Sequence, residues 1–208
     1  MKSTIKLLVV IALMVAGFSQ YTTASAGSIF KFRGQSADAF FSSVDPSGCT
    51  FTDVGAFPSE GVSQSPPGPG GSGSGVGMFI SVFDACTGTQ LLAADGFASL
   101  ADPDFQVFGK LNAATLNAEV PMFDYISGTP FNVSVNLVWI GGSDISRQSF
   151  SSHFQSPGCK VYNRFRGTFR SAVASGTVSD GSTNFTPEPS LGASIASVRS
   201  GDMSIGCN

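Results

Sequence analysis

The sequence predicts an all-β protein, either an antiparallel β-sandwich of the jelly-roll kind or a closed β-barrel. Three observations support this fold class. Apolar and polar residues alternate over short runs, turn residues interrupt these runs every 8–15 residues, and the chain after residue 26 offers no apolar stripe at helical spacing. We therefore expect about ten short strands in a single domain over residues 27–208.

The first 26 residues have the three parts of a secretory signal peptide. Two lysines give a positive start, Leu7 to Gly17 form a short apolar run, and Ala24-Ser25-Ala26 supplies the small residues of a cleavage site. The apolar run is shorter than the ~20 residues of a membrane-spanning helix. We expect the mature chain to be secreted, extracellular or periplasmic, with no transmembrane segment. In a eukaryotic source, export would also expose the glycosylation sequons at Asn132 and Asn184.

Short alternating runs follow one another along the mature chain, and each has the length and residue types of a strand. In order, they are SIFKFR, ADAFFSS, CTFTDVGAF, GMFISVFD, TQLLAADGF, FQVFG, LNAEVPM, PFNVSVNLVWIG, KVYNRFRGTF, AVASGTVS, LGASIASV and MSIGC. The residue pairs that mark turns between them are Asp45-Pro46, Asp102-Pro103, Gly141-Gly142, Asp180-Gly181 and Ser200-Gly201.

Two of these runs predict a hairpin. Odd-numbered residues from Phe131 to Trp139 are apolar, and polar residues separate most of them. Leu116 to Met122 alternate in the same way, and Ser127-Gly128 between the two runs is a turn signal. We expect an antiparallel pair that buries one face of each strand.

A Gly/Pro/Ser-rich segment at about 59–75 is predicted to be a flexible loop. Residues 68–73 have the spacing G-x-G-x-x-G, which in dinucleotide-binding proteins follows a strand and opens a helix. Here prolines precede the glycines, and a strand-like run follows them. The segment is therefore interpreted as a connection between strands, and no cofactor is expected.

Charge and cysteine content narrow the class of protein. Charged residues make up 12% of the chain, about half the usual share, and removal of the signal peptide moves the net charge from −3 to −5. A secreted domain of this charge is not expected to bind nucleic acid. Cys49, Cys86, Cys159 and Cys207 lie too far apart for a zinc motif and predict two disulfides. Three connectivities are open, of which Cys49–Cys86 with Cys159–Cys207 is favoured.

The sequence marks no catalytic constellation. His153 is the single histidine and lies in Ser/Gln/Pro-rich sequence typical of a loop. No G-x-S-x-G motif is present to supply a serine nucleophile. A Cys–His pair would need a free thiol, which an even number of cysteines in an exported chain argues against. The protein is expected to be non-catalytic.

The acidic residues offer two further alternatives. Eight acids and no basic residue lie between Gly34 and Gly109: Asp38, Asp45, Asp53, Glu60, Asp84, Asp95, Asp102 and Asp104. Two carboxylates in one cleft would suit glycoside hydrolysis, and Asp102-Pro103-Asp104 would suit calcium. Because most of these acids lie at turns, where aspartate caps its own backbone, a structural role is favoured and no metal is expected.

The segment from Arg147 to Arg170 is the best candidate for a binding surface, since it holds five cationic residues and no acid. In a regular strand, arginines 164, 166 and 170 share one face with Tyr162. Arginine binds phosphate, sulfate and carboxylate in bidentate fashion. The candidate residues are Arg147, Lys160, Tyr162, Arg164, Arg166 and Arg170. The alternative interpretation is a solvated sheet face.

These features predict a secreted, non-catalytic module, binding or structural, that contacts anionic groups through an arginine-lined strand. An anionic glycan, a lipid headgroup or a protein surface would supply such groups. The alternatives are a secreted carboxylate-based hydrolase of glycosidase type and a barrel that binds a small hydrophobic ligand.

Overall fold

The computed structural model describes residues 28–64, 71–156 and 159–207. The predicted signal peptide lies outside these residues. Nine strands make up the regular structure of the described ranges: β1 (Ser28–Val44), β2 (Thr50–Gln64), β3 (Gly71–Asp84), β4 (Thr89–Leu100), β5 (Phe105–Phe108), β6 (Ala113–Asp124), β7 (Thr129–Ser156), β8 (Cys159–Ser179) and β9 (Gly192–Cys207). The predicted all-β fold class is confirmed. Within the same ranges, no helix is long and apolar enough to cross a membrane.

The nine strands form one antiparallel sheet that closes on itself. Its order is β4-β3-β2-β1-β9-β8-β7-β6-β5, and a further pairing joins β4 to β6. That closing pairing runs between Ala94–Gly96 and Met122–Asp124. Eight strands therefore form a ring, while β5 pairs with the other half of the same β6 edge. Both walls of the core belong to this one curled sheet.

The predicted hairpin is formed by β6 and β7. Leu116 pairs with Leu137, Val120 pairs with Val133, and all four side chains are buried. The connecting turn ends at Gly128, whose φ of 70° lies in the left-handed region that glycine enters without a steric penalty. Local alternation and turn chemistry thus agree with the tertiary pairing.

The strands are longer and fewer than the alternating runs predicted. The turn signals at 45–46, 102–103 and 180–181 do separate strands. Gly141-Gly142 instead lies inside β7 and Ser200-Gly201 inside β9, and the register shifts at both places. Glycine here allows an irregularity within a continuous strand rather than ending it. His153, expected in a loop, is likewise an exposed residue of β7.

Strands occupy both ends of the Gly/Pro/Ser-rich segment predicted to be a loop at 59–75. β2 continues to Gln64 and β3 begins at Gly71, with Ser63 paired to Gly71; residues 65–70 lie outside the described ranges. A Cβ atom on the facing Gly34 would lie 2.0 Å from the Glu60 carbonyl oxygen. Glycine therefore permits close contact between strands here, which composition alone does not distinguish from flexibility.

One disulfide connects two turns at the same end of the barrel. Cys49 follows β1 and Cys86 follows β3, and their Cα atoms are 5.3 Å apart. The favoured Cys49–Cys86 pairing is confirmed, and a disulfide is compatible with an oxidising compartment. Cys159 and Cys207 are register partners in β8 and β9, a placement that is compatible with the second predicted disulfide. That disulfide stays a prediction.

Side chains fill the closed part of the barrel. The largest fully buried ones include Trp139, Ile80, Leu116, Leu137 and Ile195. The indole Nε1 of Trp139 on β7 donates a hydrogen bond of 2.8 Å to the backbone carbonyl of Asp38 on β1. This packing argues against the alternative in which a hydrophobic ligand occupies the closed interior.

Replacing Trp139 by Phe is expected to lower the free energy of unfolding by about 2 kcal/mol. The smaller ring leaves a cavity, and the buried Asp38 carbonyl loses its side-chain donor. Urea unfolding followed by circular dichroism measures the change, because the substitution removes the single tryptophan as a fluorescent probe. Ile140→Val is a suitable control, since Ile140 is exposed on the same strand. Equal losses in the two variants would contradict the assigned packing.

Candidate functional site

At one end of the barrel, the core-facing residues change from apolar to polar. Arg166 and Thr168 on β8 share a strand face with the buried Ala174, because residues two apart point the same way. Arg147 on β7 pairs with Thr168, and Thr168 pairs with Ser197 on β9. A row of polar residues therefore crosses three strands at this end of the barrel, next to the apolar core. We call this end the open end.

Two adjoining cavities lie against this row. The first has a volume of about 290 Å³, and its walls include Arg147, Arg166, Thr168 and Arg199. The second has a volume of about 460 Å³ and shares Arg147, Thr168 and Arg199 with the first. The two cavities adjoin at these shared residues, and we call them together the arginine groove.

The groove is strongly cationic. Arg147, Arg166 and Arg199 reach it from three neighbouring strands, and Lys110 lines the second cavity. All four side chains are exposed to solvent. In the described part of the chain, two hydrogen bonds are donated by an arginine side chain. Both are donated by Arg170, which is not one of the groove arginines. Guanidinium N–H groups such as those of the three groove arginines can pair with the oxygens of an anion.

One wall of the second cavity is apolar. It is formed by Val107, Phe108, Leu111 and Ile145. Leu111 is buried, whereas Phe108 and Ile145 are exposed by 44% and 52%. The groove thus presents apolar surface directly beside its positive charges.

The turn that supplies this wall has an unusual backbone. Gly109, Lys110 and Leu111 have φ angles of 44°, 55° and 68°, a region that residues with a side chain rarely occupy. Asn112 holds the turn: its N–H donates to the Phe108 carbonyl at 2.9 Å, and its carbonyl accepts from Gly141 at 2.8 Å. Strained backbone held by its surroundings is common at binding sites.

Arg170 supports the same turn. Its Nε donates to the Gly142 carbonyl at 2.6 Å, and its terminal nitrogen donates to the Asn112 side-chain oxygen. Arg170 is half-buried, so these bonds fix its guanidinium between β7 and the turn. Its position therefore suits a structural role better than direct contact with an anion.

The structure separates the sequence-predicted residues into groups. Arg147 and Arg166 lie together in the groove. Lys160, Tyr162 and Arg164 are exposed farther along β8. Lys160 and Arg166 are six residues apart, which is about 20 Å along a strand. A small anion bound at Arg166 therefore does not reach the far end of the predicted set.

Sequence reasoning missed Arg199 and Lys110. Arg199 lies at the register shift of β9, next to Ser200, the residue that pairs with Arg166. A signal for it existed, because pairing Cys159 with Cys207 sets the β8–β9 register that places Arg166 opposite Ser200. Lys110 had no comparable signal, since its position depends on the folded turn after β5.

The aspartates of four separate turns act as caps of their own backbone. The Thr50 N–H holds the pKa of Asp45 below its ordinary value, and the Thr183 N–H does the same for Asp180. Hydrogen bonds from nearby hydroxyl groups, Thr87 for Asp84 and Ser127 for Asp124, and from backbone N–H groups also lower the pKa values of these two remaining turn residues. This arrangement favours structural roles over acid catalysis for these residues.

Glu60 on β2 lies two strands away from Ser197 of the polar row. It pairs with Gln35, which pairs in turn with Ser197. Partial burial and the negative charge of Asp102 raise its pKa. Two strand spacings, about 10 Å, separate β2 from β9, the strand that carries Arg199.

A metal centre is not supported by the one close group of candidate ligands in the described ranges. That group consists of Cys49, Asp84 and Cys86. Both cysteines are oxidised in the disulfide, whereas metal binding requires thiolates.

No protein-family model, curated protein or solved structure matches this chain. Function must therefore be inferred from the chemistry of the groove itself, because a fold class does not specify an activity.

Proposed function

We propose that this protein is a secreted, non-catalytic module that binds anionic groups in the arginine groove. The observation that supports the proposal is the convergence of Arg147, Arg166 and Arg199 from three strands on one depression. The signal-like N-terminus and the Cys49–Cys86 disulfide support an exported protein.

The groove suits carboxylate, sulfate and phosphate groups. A guanidinium presents several donors in a planar fork that matches the oxygens of these anions. The three arginines start from paired strands, so their backbones are already held in place before an anion arrives. Binding then costs less conformational entropy than it would on a flexible loop.

The positive groove lies within a protein whose predicted net charge is negative. A solvated face would require only that the arginines be exposed, whereas a binding site requires that they share a cavity. Arg147, Arg166 and Arg199 are both exposed and gathered around one cavity, which favours the binding interpretation.

The hydrolase alternative has weaker support. The turn aspartates are engaged by their own backbone, which leaves Glu60, whose pKa is raised by partial burial and by the negative charge of Asp102. Glu60 is outside the lining of both cavities that the arginines share. Hydrolysis would therefore need a second site that is independent of the groove.

Titration with small anions tests the proposal. Two-dimensional NMR spectra of the mature protein would be recorded with sodium sulfate, phosphate and acetate at constant ionic strength. Arg147→Gln and Arg199→Gln are each expected to raise the dissociation constant about tenfold or more, because each removes a charge-assisted hydrogen-bond donor.

Lys160→Gln is the matched control, since Lys160 is an exposed cation of β8 outside both cavities and about 20 Å along the strand from Arg166. It is expected to leave the dissociation constant unchanged within about twofold. Equal weakening by all three substitutions would indicate a general charge effect and overturn the proposal. An absence of binding by the parent protein would do the same.

A further inference from the structure

We infer that the arginine groove binds a small amphiphilic anion, in which an apolar chain is attached to the anionic group. The inference rests on the proposed function and specifies its ligand class. A free alkyl carboxylate or alkyl sulfate has this chemistry.

The two walls of the larger cavity support this ligand class. Arg147, Arg199 and Lys110 form its cationic side, and Phe108 and Ile145 lie on its apolar side. A ligand that carries charge alone would leave the apolar wall in contact with water. A neutral hydrophobic ligand would leave the guanidinium groups without a partner and would dehydrate them at a cost.

The apolar wall is exposed to solvent, so the alkyl chain of a bound ligand would cover it. Phe108 and Ile145 are about half exposed in the free protein. Covering such surface contributes to binding in proportion to the apolar area removed from water. The cavity volume of about 460 Å³ lies within the range of small-molecule sites.

The turn that carries part of the apolar wall is held in place by its own contacts. Leu111 is buried beneath the turn, and Arg170 and Asn112 hold the turn against β7. The apolar wall is therefore held in a fixed position beside the cations of the groove. Core side chains fill the closed interior of the barrel. The alkyl chain of the ligand therefore lies in the groove and not inside the barrel.

A chain-length series tests the inference. Acetate, hexanoate, octanoate and decanoate would be titrated into the mature protein below their micellar concentrations, with 1-octanol as the neutral analogue. Affinity is expected to rise about fourfold for each methylene that reaches the apolar wall, and then to level off when the cavity is full. Octanoate is expected to bind at least tenfold more tightly than 1-octanol.

Two isoleucines of β7 provide a matched pair of variants. Ile145 lines the cavity, while Ile140 is similarly exposed and lies outside it. Ile145→Thr is expected to flatten the dependence on chain length, and Ile140→Thr is expected to leave it unchanged. Threonine is also β-branched and suits a strand, so neither substitution should disturb the fold.

The outcomes separate this inference from the proposed function. Arg199-dependent binding of acetate with no gain from longer chains would overturn the amphiphilic ligand and leave the anion site standing. Equal binding of 1-octanol and octanoate, unaffected by Arg199→Gln, would overturn the anion site itself. Binding to phosphatidylglycerol vesicles without binding of free octanoate would overturn the inference in favour of a membrane surface.

Discussion

The double variant Cys49→Ser/Cys86→Ser is expected to lose about 4 kcal/mol of the free energy of unfolding. The two cysteines are 37 residues apart in sequence. Closing a loop of that length removes conformational entropy from the unfolded chain, which in the loop-entropy model corresponds to this magnitude. For a domain whose total stability is on the order of 10 kcal/mol, the loss is large.

Urea unfolding without reductant measures this effect. Free energies extrapolated to water should be compared, because loss of a cross-link also expands the unfolded state and changes the slope. Cys159→Ser/Cys207→Ser is the companion variant and tests the predicted second disulfide, whose residues are register partners. If Cys49→Ser/Cys86→Ser unfolds with the same free energy as the parent, the stabilising role of the first disulfide is wrong.

Asp38→Asn is expected to stabilise the protein at neutral pH by up to about 3 kcal/mol. Burial raises the pKa of the Asp38 carboxyl to about 6 from an ordinary value of 3.8, despite a hydrogen bond from Ser194 that favours the charged form. Each unit of pKa difference corresponds to about 1.4 kcal/mol. The uncharged amide avoids the cost of ionising this group inside the fold.

The pH dependence follows from the direction of this shift. Because the folded pKa of Asp38 lies above the unfolded value, its stabilising contribution is complete below about pH 4 and is lost as the pH rises through about 6. The parent should therefore weaken between pH 4 and 7 by an amount that Asp38→Asn removes. Parallel stability curves for the two proteins across this range would contradict the assignment.

Asp45→Asn is a control for which the pH dependence of stability should have the opposite direction. Hydrogen bonds from Thr50 and Ser47 lower the pKa of Asp45, so its contribution is present at neutral pH and is lost as the pH falls through the lowered folded value. This variant should be less stable than the parent at pH 7, and the two should converge in acid. The same urea titrations, repeated at several pH values, resolve both effects.

The features that the sequence determined by itself depend on neighbouring residues. Alternation in Leu116 to Met122 and Phe131 to Trp139, with a glycine turn between them, specified the β6–β7 hairpin and its buried face. Proximity in sequence also favoured Cys49–Cys86 correctly. Such features are readable because strand period and turn chemistry act over a few residues.

Strand lengths were less predictable, because a glycine can either end a strand or allow a neighbouring strand to approach closely. Gly141-Gly142 and the segment around Gly71 have the composition of turns or loops, yet both lie in paired strands. Whether a glycine ends a strand or lets a neighbour approach depends on what faces it. That partner is known only once the strands are paired.

The groove was visible in the sequence only in part. The arginine-rich segment identified Arg147 and Arg166, and it also included Lys160 and Arg164, which lie farther along β8 and outside both cavities. Arg199 joined the groove because β9 pairs with β8 and shifts register beside Arg166. The sequence thus determined the fold class, one hairpin, one disulfide and the cationic character of one strand. Only the tertiary structure decided which cations meet and that an apolar wall lies beside them, because strand pairing and barrel closure bring together residues that are distant along the chain.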